Sequence, residues 1–127
     1  MERKVVMSLE APKPIGPYSQ AIEAGGFVFC SGQIPIDPQT GRIIEGSIHA
    51  QTERILTNLK AVLEAAGSSL EQTVKMTVYL TNLADFESLN QVLGQHFAQE
   101  PPARAVVQVS ALPKNAMVEI DLIALKK

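Results

Sequence analysis

The chain has 127 residues, of which 46% are hydrophobic and 19% charged, which is the length of one domain with one core and too apolar for intrinsic disorder. Eleven Lys and Arg against thirteen Asp and Glu give a formal charge of −2, so no large positive field exists to gather nucleic acid or anionic lipid. No apolar run exceeds four residues, which excludes a membrane-spanning helix. No apolar stretch of signal-peptide length follows Met1-Glu2-Arg3-Lys4, and the single cysteine, Cys30, can form neither an internal disulfide nor a thiolate metal cluster. The expectation is one cytoplasmic domain over residues 1–127.

The first element is a short strand around Val5-Val6-Met7. Pro12, Pro14 and Pro17 then remove three amide donors within six residues and disfavour helix before each ring, so this segment is extended and presents Tyr18 from a restricted backbone. From Tyr18 to Gly32 the pattern is a β-hairpin. Gly25-Gly26 supplies the positive-φ turn, and Phe27-Val28-Phe29-Cys30 reads as strand. A two-residue turn puts Ala24 opposite Phe27, Gln20 opposite Ser31 and Tyr18 opposite Gln33, gathering Tyr18, Ser31 and Gly32 at the open end.

After a proline-driven turn at Pro35–Gly41, a helix begins near Ser47. Its apolar residues Ile48, Ile55, Leu56, Leu59, Val62, Leu63 and Ala66 follow the helical period, and Gly67 suits the left-handed position that ends it. Ser69 with Gln72 has the spacing of a capped turn. From Val74 to Thr81 the chain alternates, with Val74, Met76, Val78 and Leu80 on one face of a half-buried strand. Asn82 is a cap candidate for a second helix carrying Phe86, Leu89, Leu93 and Phe97, stopped by Pro101-Pro102. Strands at Arg104–Ser110 and Met117–Leu125 close the chain. The order βββαβαββ implies an α+β fold, a sheet with two helices on one face. No third helix remains to cover the other face, so self-association is expected.

Phosphate-binding loops, dinucleotide glycine fingerprints, nucleophile elbows and zinc-binding His/Glu helices are all missing. His49 and His96 each stand alone on a helix, where an exposed surface role outweighs a ligand or base role. Cys30 lies in an apolar strand and reads as a small buried hydrophobe. Arg104 is the only Lys or Arg between Lys75 and Lys114, and it follows two prolines. Such an isolated, backbone-restricted guanidinium fits either a ligand carboxylate or an internal ion pair with Glu119 or Asp121. Those two acids share one face of the last strand, where they either meet solvent and neighbours or position a water. If the last two strands pair with an odd residue sum, Arg104, Val106 and Gln108 join them on that face. Tyr18, Ser31 and Asn90 have ordinary structural roles when taken singly.

Pro14-Ile15-Gly16-Pro17-Tyr18-Ser19-Gln20-Ala21, Ser31-Gly32-Gln33-Ile34-Pro35, Pro102-Ala103-Arg104 and Val118-Glu119-Ile120 resemble the motifs of the Rid (RidA/YjgF) family of reactive-intermediate deaminases. Val78-Tyr79-Leu80 and Asp85-Phe86 with Asn90 extend the likeness over nearly the whole chain. The resemblance implies a chorismate-mutase-like protomer with a mixed sheet, assembled as a homotrimer with clefts between subunits. It also implies cofactor-independent hydrolysis of reactive 2-enamine or 2-imine acids (2-aminoacrylate, 2-iminobutanoate, 2-iminopropanoate) to 2-keto acids and ammonia, a form of metabolite damage control.

Carried over by residue, Arg104 would clamp the substrate carboxylate and Glu119 would orient water. Tyr18, Ser31, Gly32 and Asn90 would line the cleft, and no metal would be involved. Val106 departs from the pattern, since many bacterial members carry a cysteine there. An iminium carbon is already electrophilic, so orientation and one placed water suffice, at about 1.4 kcal/mol per tenfold acceleration. Two other readings compete. One is a non-catalytic trimeric binder of small carboxylate metabolites with a regulatory role. The other is an endoribonuclease or translation inhibitor, disfavoured by the net charge and the absence of tryptophan.

Overall fold

The computed structural model describes residues 2–127. Strands β1 (Lys4–Val6), β2 (Ala21–Ala24), β3 (Phe27–Gln33), β4 (Thr73–Leu80), β5 (Ala103–Gln108) and β6 (Val118–Leu125) form one six-stranded sheet in the order β1-β2-β3-β6-β4-β5. Helix α1 (Ile48–Ala65) precedes β4, and α2 (Phe86–His96) links β4 to β5. Among the described residues only the β4–β5 pair is parallel, as a helical crossover between them allows. The expected α+β order and mixed sheet are therefore present.

Local chemistry explains most boundaries. Gly25 and Gly26, at φ 59° and 85°, make the hairpin turn and set Ala24 opposite Phe27. The Ser47 hydroxyl accepts from the Ala50 amide and starts α1, and Gly67 at φ 76° follows its end. All seven apolar residues assigned to the inner face of α1 are buried. Each fully buried Leu or Ile contributes roughly 1.5–3 kcal/mol relative to exposure. They pack on Val28, Met76, Val78, Ile120 and Leu122 from the sheet, together with Leu89 and Leu93 of α2.

Three expectations are corrected. The closing strands do not pair with each other: β6 inserts between β3 and β4, and β5 lies outside β4. Arg104 is thus in register with Met76, and Met76 with Leu122, on the helix-covered face, while Glu119 pairs with Tyr79 and Asp121 with Thr77 on the other. Arg104, Val106 and Gln108 consequently do not share a face with the two acids. Secondly, a bulge between Thr73 and Lys75 breaks the alternation of β4 and leaves Val74 exposed. Thirdly, Tyr18 is not strand-paired with Gln33. Pairing ends where the Ser31 amide donates to the Gln20 carbonyl, and the Tyr18 amide turns back to Gly16. Smaller shifts occur at element ends. Asn82 caps a short 3-10 turn (Leu83–Asp85) ahead of α2, and Ser69 makes no side-chain cap to the turn at Leu70–Gln72.

The face away from the helices carries Val5, Phe27, Phe29, Val107 and Leu125, all exposed. It is a broad apolar surface on a small chain.

Candidate functional site

Helix α2 ends at His96, ahead of the prolines expected to stop it, and Pro101 and Pro102 instead lead directly into β5, so Arg104 projects from the start of an edge strand beneath α2. Its Nη1 donates to Asn90 Oδ1 at 2.6 Å, and its Cζ lies 5.6 Å from the centre of the Phe86 ring. Phe86 and Asn90 are one helical turn apart and therefore line one face of α2. Together they hold the guanidinium by a hydrogen bond and a cation–π contact. Among the described residues no carboxylate comes within ion-pair distance of Arg104. The internal pair with Glu119 or Asp121 does not form, because the sheet lies between them. A cleft of about 190 Å³ opens beside the guanidinium, walled by Met76, Leu93, Phe97, Pro101 and Pro102.

The other sequence candidates form a second cluster. Between Cys30 and Gln33 the β3–β6 register slips by one residue, bulging the strand at Ser31 and Gly32. The bulge brings Gly32 against Glu119: a β-carbon on Gly32 would stand 2.9 Å from Glu119 Cδ and 3.2 Å from Cγ. Only a glycine leaves that space to the carboxylate. The Ser31 hydroxyl donates to the Ser19 carbonyl at 2.6 Å, and Tyr18 OH accepts from the Ile15 amide at 3.2 Å, which ties the proline segment to the cleft. Tyr18, Ser31, Gly32 and Glu119 line a cavity of about 510 Å³ with Pro17 and Pro113. Burial, and secondarily the charge of Asp121, raises the Glu119 carboxyl above its ordinary 4.5. Asp121 accepts from Tyr79 OH at 3.0 Å and is thereby engaged.

The structure thus divides the six candidates. Arg104 and Asn90 stand at one cleft, with Tyr18, Ser31, Gly32 and Glu119 at another across the sheet. Asn90 acts on Arg104 rather than standing free. Phe86, expected only as an apolar residue of the second helix and as part of the motif likeness, also holds Arg104, a role to which its spacing from Asn90 was a usable signal. His49 bonds Gln91 at 3.0 Å and His96 pairs with Glu53 at 2.6 Å, each bridging the two helices. Cys30 is buried, its thiol pushed up to about 12 by desolvation and then by Asp121. Among the described residues no three His, Cys, Asp or Glu side chains converge as metal ligands, and no helix is long and apolar enough to cross a membrane.

Fold and clefts together define a chorismate-mutase-like α+β domain with two separate clefts, one holding Arg104 and the other Glu119. The family described as Endoribonuclease L-PSP matches residues 8–126. A RutC family protein of Pyrococcus abyssi is 52% identical over the full length of both chains. The chloroplastic Reactive Intermediate Deaminase A of Arabidopsis thaliana is 42% identical over 98% of this chain and 66% of its own. A crystal structure of Escherichia coli TdcF with bound serine superposes with a TM-score of 0.92 at 42% identity, covering 98% and 99% of the two chains. The chain belongs to the Endoribonuclease L-PSP family, the Rid family that its motifs resemble, which includes reactive intermediate deaminases.

Proposed function

We propose that the protein hydrolyses reactive 2-enamine and 2-imine acids to 2-keto acids and ammonia, without a cofactor. We propose further that it does so as a homotrimer in which the Arg104 half-site of one copy faces the Glu119 half-site of the next. The observation that carries this reading is Arg104 itself: a guanidinium oriented by Asn90 and Phe86, beside an open cleft, with no carboxylate among the described residues at ion-pair distance. Such a fork suits the carboxylate of a small 2-imino acid, through charge-assisted hydrogen bonds worth about 1.5–3 kcal/mol. The serine in the TdcF structure is also a small amino acid with a carboxylate. The apolar outer face of the sheet supports assembly, because burying it is favourable.

The chemistry is a balanced hydrolysis. An enamine takes a proton at C3 and becomes the iminium. Water then attacks C2 while Glu119, its basicity raised by burial, accepts the water's proton. That proton passes to nitrogen, the C–N bond breaks to release ammonia, and the hydroxyl proton leaves the former water oxygen for that ammonia, so the iminium and water have become a keto group and ammonium. Arg104 holds the carboxylate throughout.

A serine or threonine dehydratase supplies the unstable intermediate in a coupled assay of 2-keto acid release. Acceleration should vanish in Arg104→Ala and in Glu119→Gln; undiminished acceleration in Arg104→Ala rejects the clamp. The competing reading, a regulatory carboxylate binder, is favoured by the serine seen in TdcF. It predicts ligand binding by wild type with no acceleration at all. An endoribonuclease, as the family description would have it, predicts RNA cleavage that disappears with Arg104 or Glu119.

A further inference from the structure

Gly94 occupies an interior position of α2, where glycine is the poorest helix former apart from proline. Nothing in its surroundings within the chain demands a glycine. Its φ is not positive, and a β-carbon built there meets no atom within 4 Å. Its position is specific, however. Phe86, Asn90 and Gly94 fall four residues apart along one face of α2, the face above Arg104. The first stacks on the guanidinium, the second bonds it, and the third leaves empty the mouth of the cleft beside it.

That cleft continues inward over Met76, Leu93 and Phe97 and is flanked by Pro101 and Pro102. Arg104 and Asn90 are its only polar side chains, and they already hold one another. At about 190 Å³ it is smaller than the roughly 300–1,000 Å³ of sites for drug-sized ligands, and it suits a few methylenes. We propose that Gly94 is a specificity-determining residue: the space it leaves beside Arg104 receives the apolar side chain of a 2-imino acid whose carboxylate rests on the guanidinium. The preferred substrates are then imines with aliphatic side chains longer than methyl, since this chain's lining of the chamber offers a charged side chain no free partner. This inference rests on the deaminase reading for its substrate class, and its test separates the two.

An amino acid oxidase generates imines in situ from alanine, 2-aminobutanoate and leucine, and kcat/KM is measured for wild type, Gly94→Ala and Gly94→Leu. In wild type the leucine-derived imine should exceed the alanine-derived one by about tenfold or more, the discrimination expected from added methylenes in an apolar pocket. Gly94→Leu should collapse that ratio by about tenfold, with Gly94→Ala between. Alanine suits a helix interior, so a thermal melt of Gly94→Ala equal to or above wild type keeps the test valid if Gly94→Leu misfolds. A wild-type ratio at or below one, or an unchanged ratio in folded variants, overturns the inference and leaves the deaminase reading standing. If no imine is hydrolysed, that reading fails and calorimetry with pyruvate, 2-oxobutanoate and 4-methyl-2-oxopentanoate decides the rest. Affinity rising with chain length and lost in the variants supports the chamber, whereas flat or absent binding overturns it.

Discussion

Replacing Gly32 by alanine tests how closely the acidic half-site is built. Gly32 lies in the β3 bulge with no positive φ, so alanine can adopt its backbone without strain. The new methyl would nevertheless stand 2.9 Å from Glu119 Cδ and 3.2 Å from Cγ, against roughly 3.5–4.0 Å for relaxed carbon contacts. Glu119 Oε2 is closer still, so the carboxylate must retreat by about 1 Å or more. Because only the end of a half-buried side chain moves, the stability cost falls at the low end of the ~1–3 kcal/mol typical of overpacking. Catalysis is less forgiving, since a misplacement of about 1 Å costs on the order of a hundredfold in rate. The coupled imine-hydrolysis assay and a thermal melt read the two effects separately. A hundredfold loss with a small change in melting temperature is expected, and the Arg104 cleft should still bind 2-keto acids. Hydrolysis within about twofold of wild type would refute the argument that Glu119's position limits the reaction.

Arg104→Lys keeps the charge but loses the planar fork and the stacking on Phe86, so KM for the imine should rise at least about tenfold. Initial-rate kinetics that match wild type would show that charge alone is recognised. Glu119 carries a raised pKa in the fold, so its protonated form is the one the fold favours. The stability linked to that proton is full below the unfolded value near 4.5 and is lost as pH rises through the higher folded value. The melting temperature of Glu119→Gln should therefore gain on wild type as pH rises above 4.5, and a constant difference would contradict the assignment. Cys30, with its thiol held near 12 by burial, should resist alkylation in the native protein at pH values where the unfolded chain reacts readily.

The helices and hairpin were legible because their signals are local. Ser47, Gly67 and the Gly25-Gly26 pair mark ends by their own backbone chemistry, and the apolar period of α1 needs no partner to be seen. Strand order is a non-local property. Nothing in residues 103–125 reveals that β6 inserts beside β3 while β5 pairs with β4, and a common face for Arg104 and Glu119 was open only on the condition that the last two strands pair, which they do not. The bulges at Val74 and at Ser31-Gly32 were hidden for the same reason, being defined by the opposite strand. The site residues themselves came mostly from motif resemblance. Spacing alone could have added Phe86 and Gly94 to Asn90 on α2, but only with Arg104 already placed beneath that helix.

The central claim is that Arg104 and Glu119, which one protomer holds on opposite faces of its sheet, work together only across two copies. Arg104→Ala and Glu119→Gln, each inactive alone, can be denatured, mixed in equal amounts and refolded together. If every site takes its arginine from one subunit and its glutamate from the next, random assembly gives both native residues to about one quarter of the sites. The mixture should recover about a quarter of wild-type imine hydrolysis, while each variant refolded by itself recovers none. A mixture as inactive as its parents, with mixed oligomers demonstrated by mass spectrometry, would contradict the composite site.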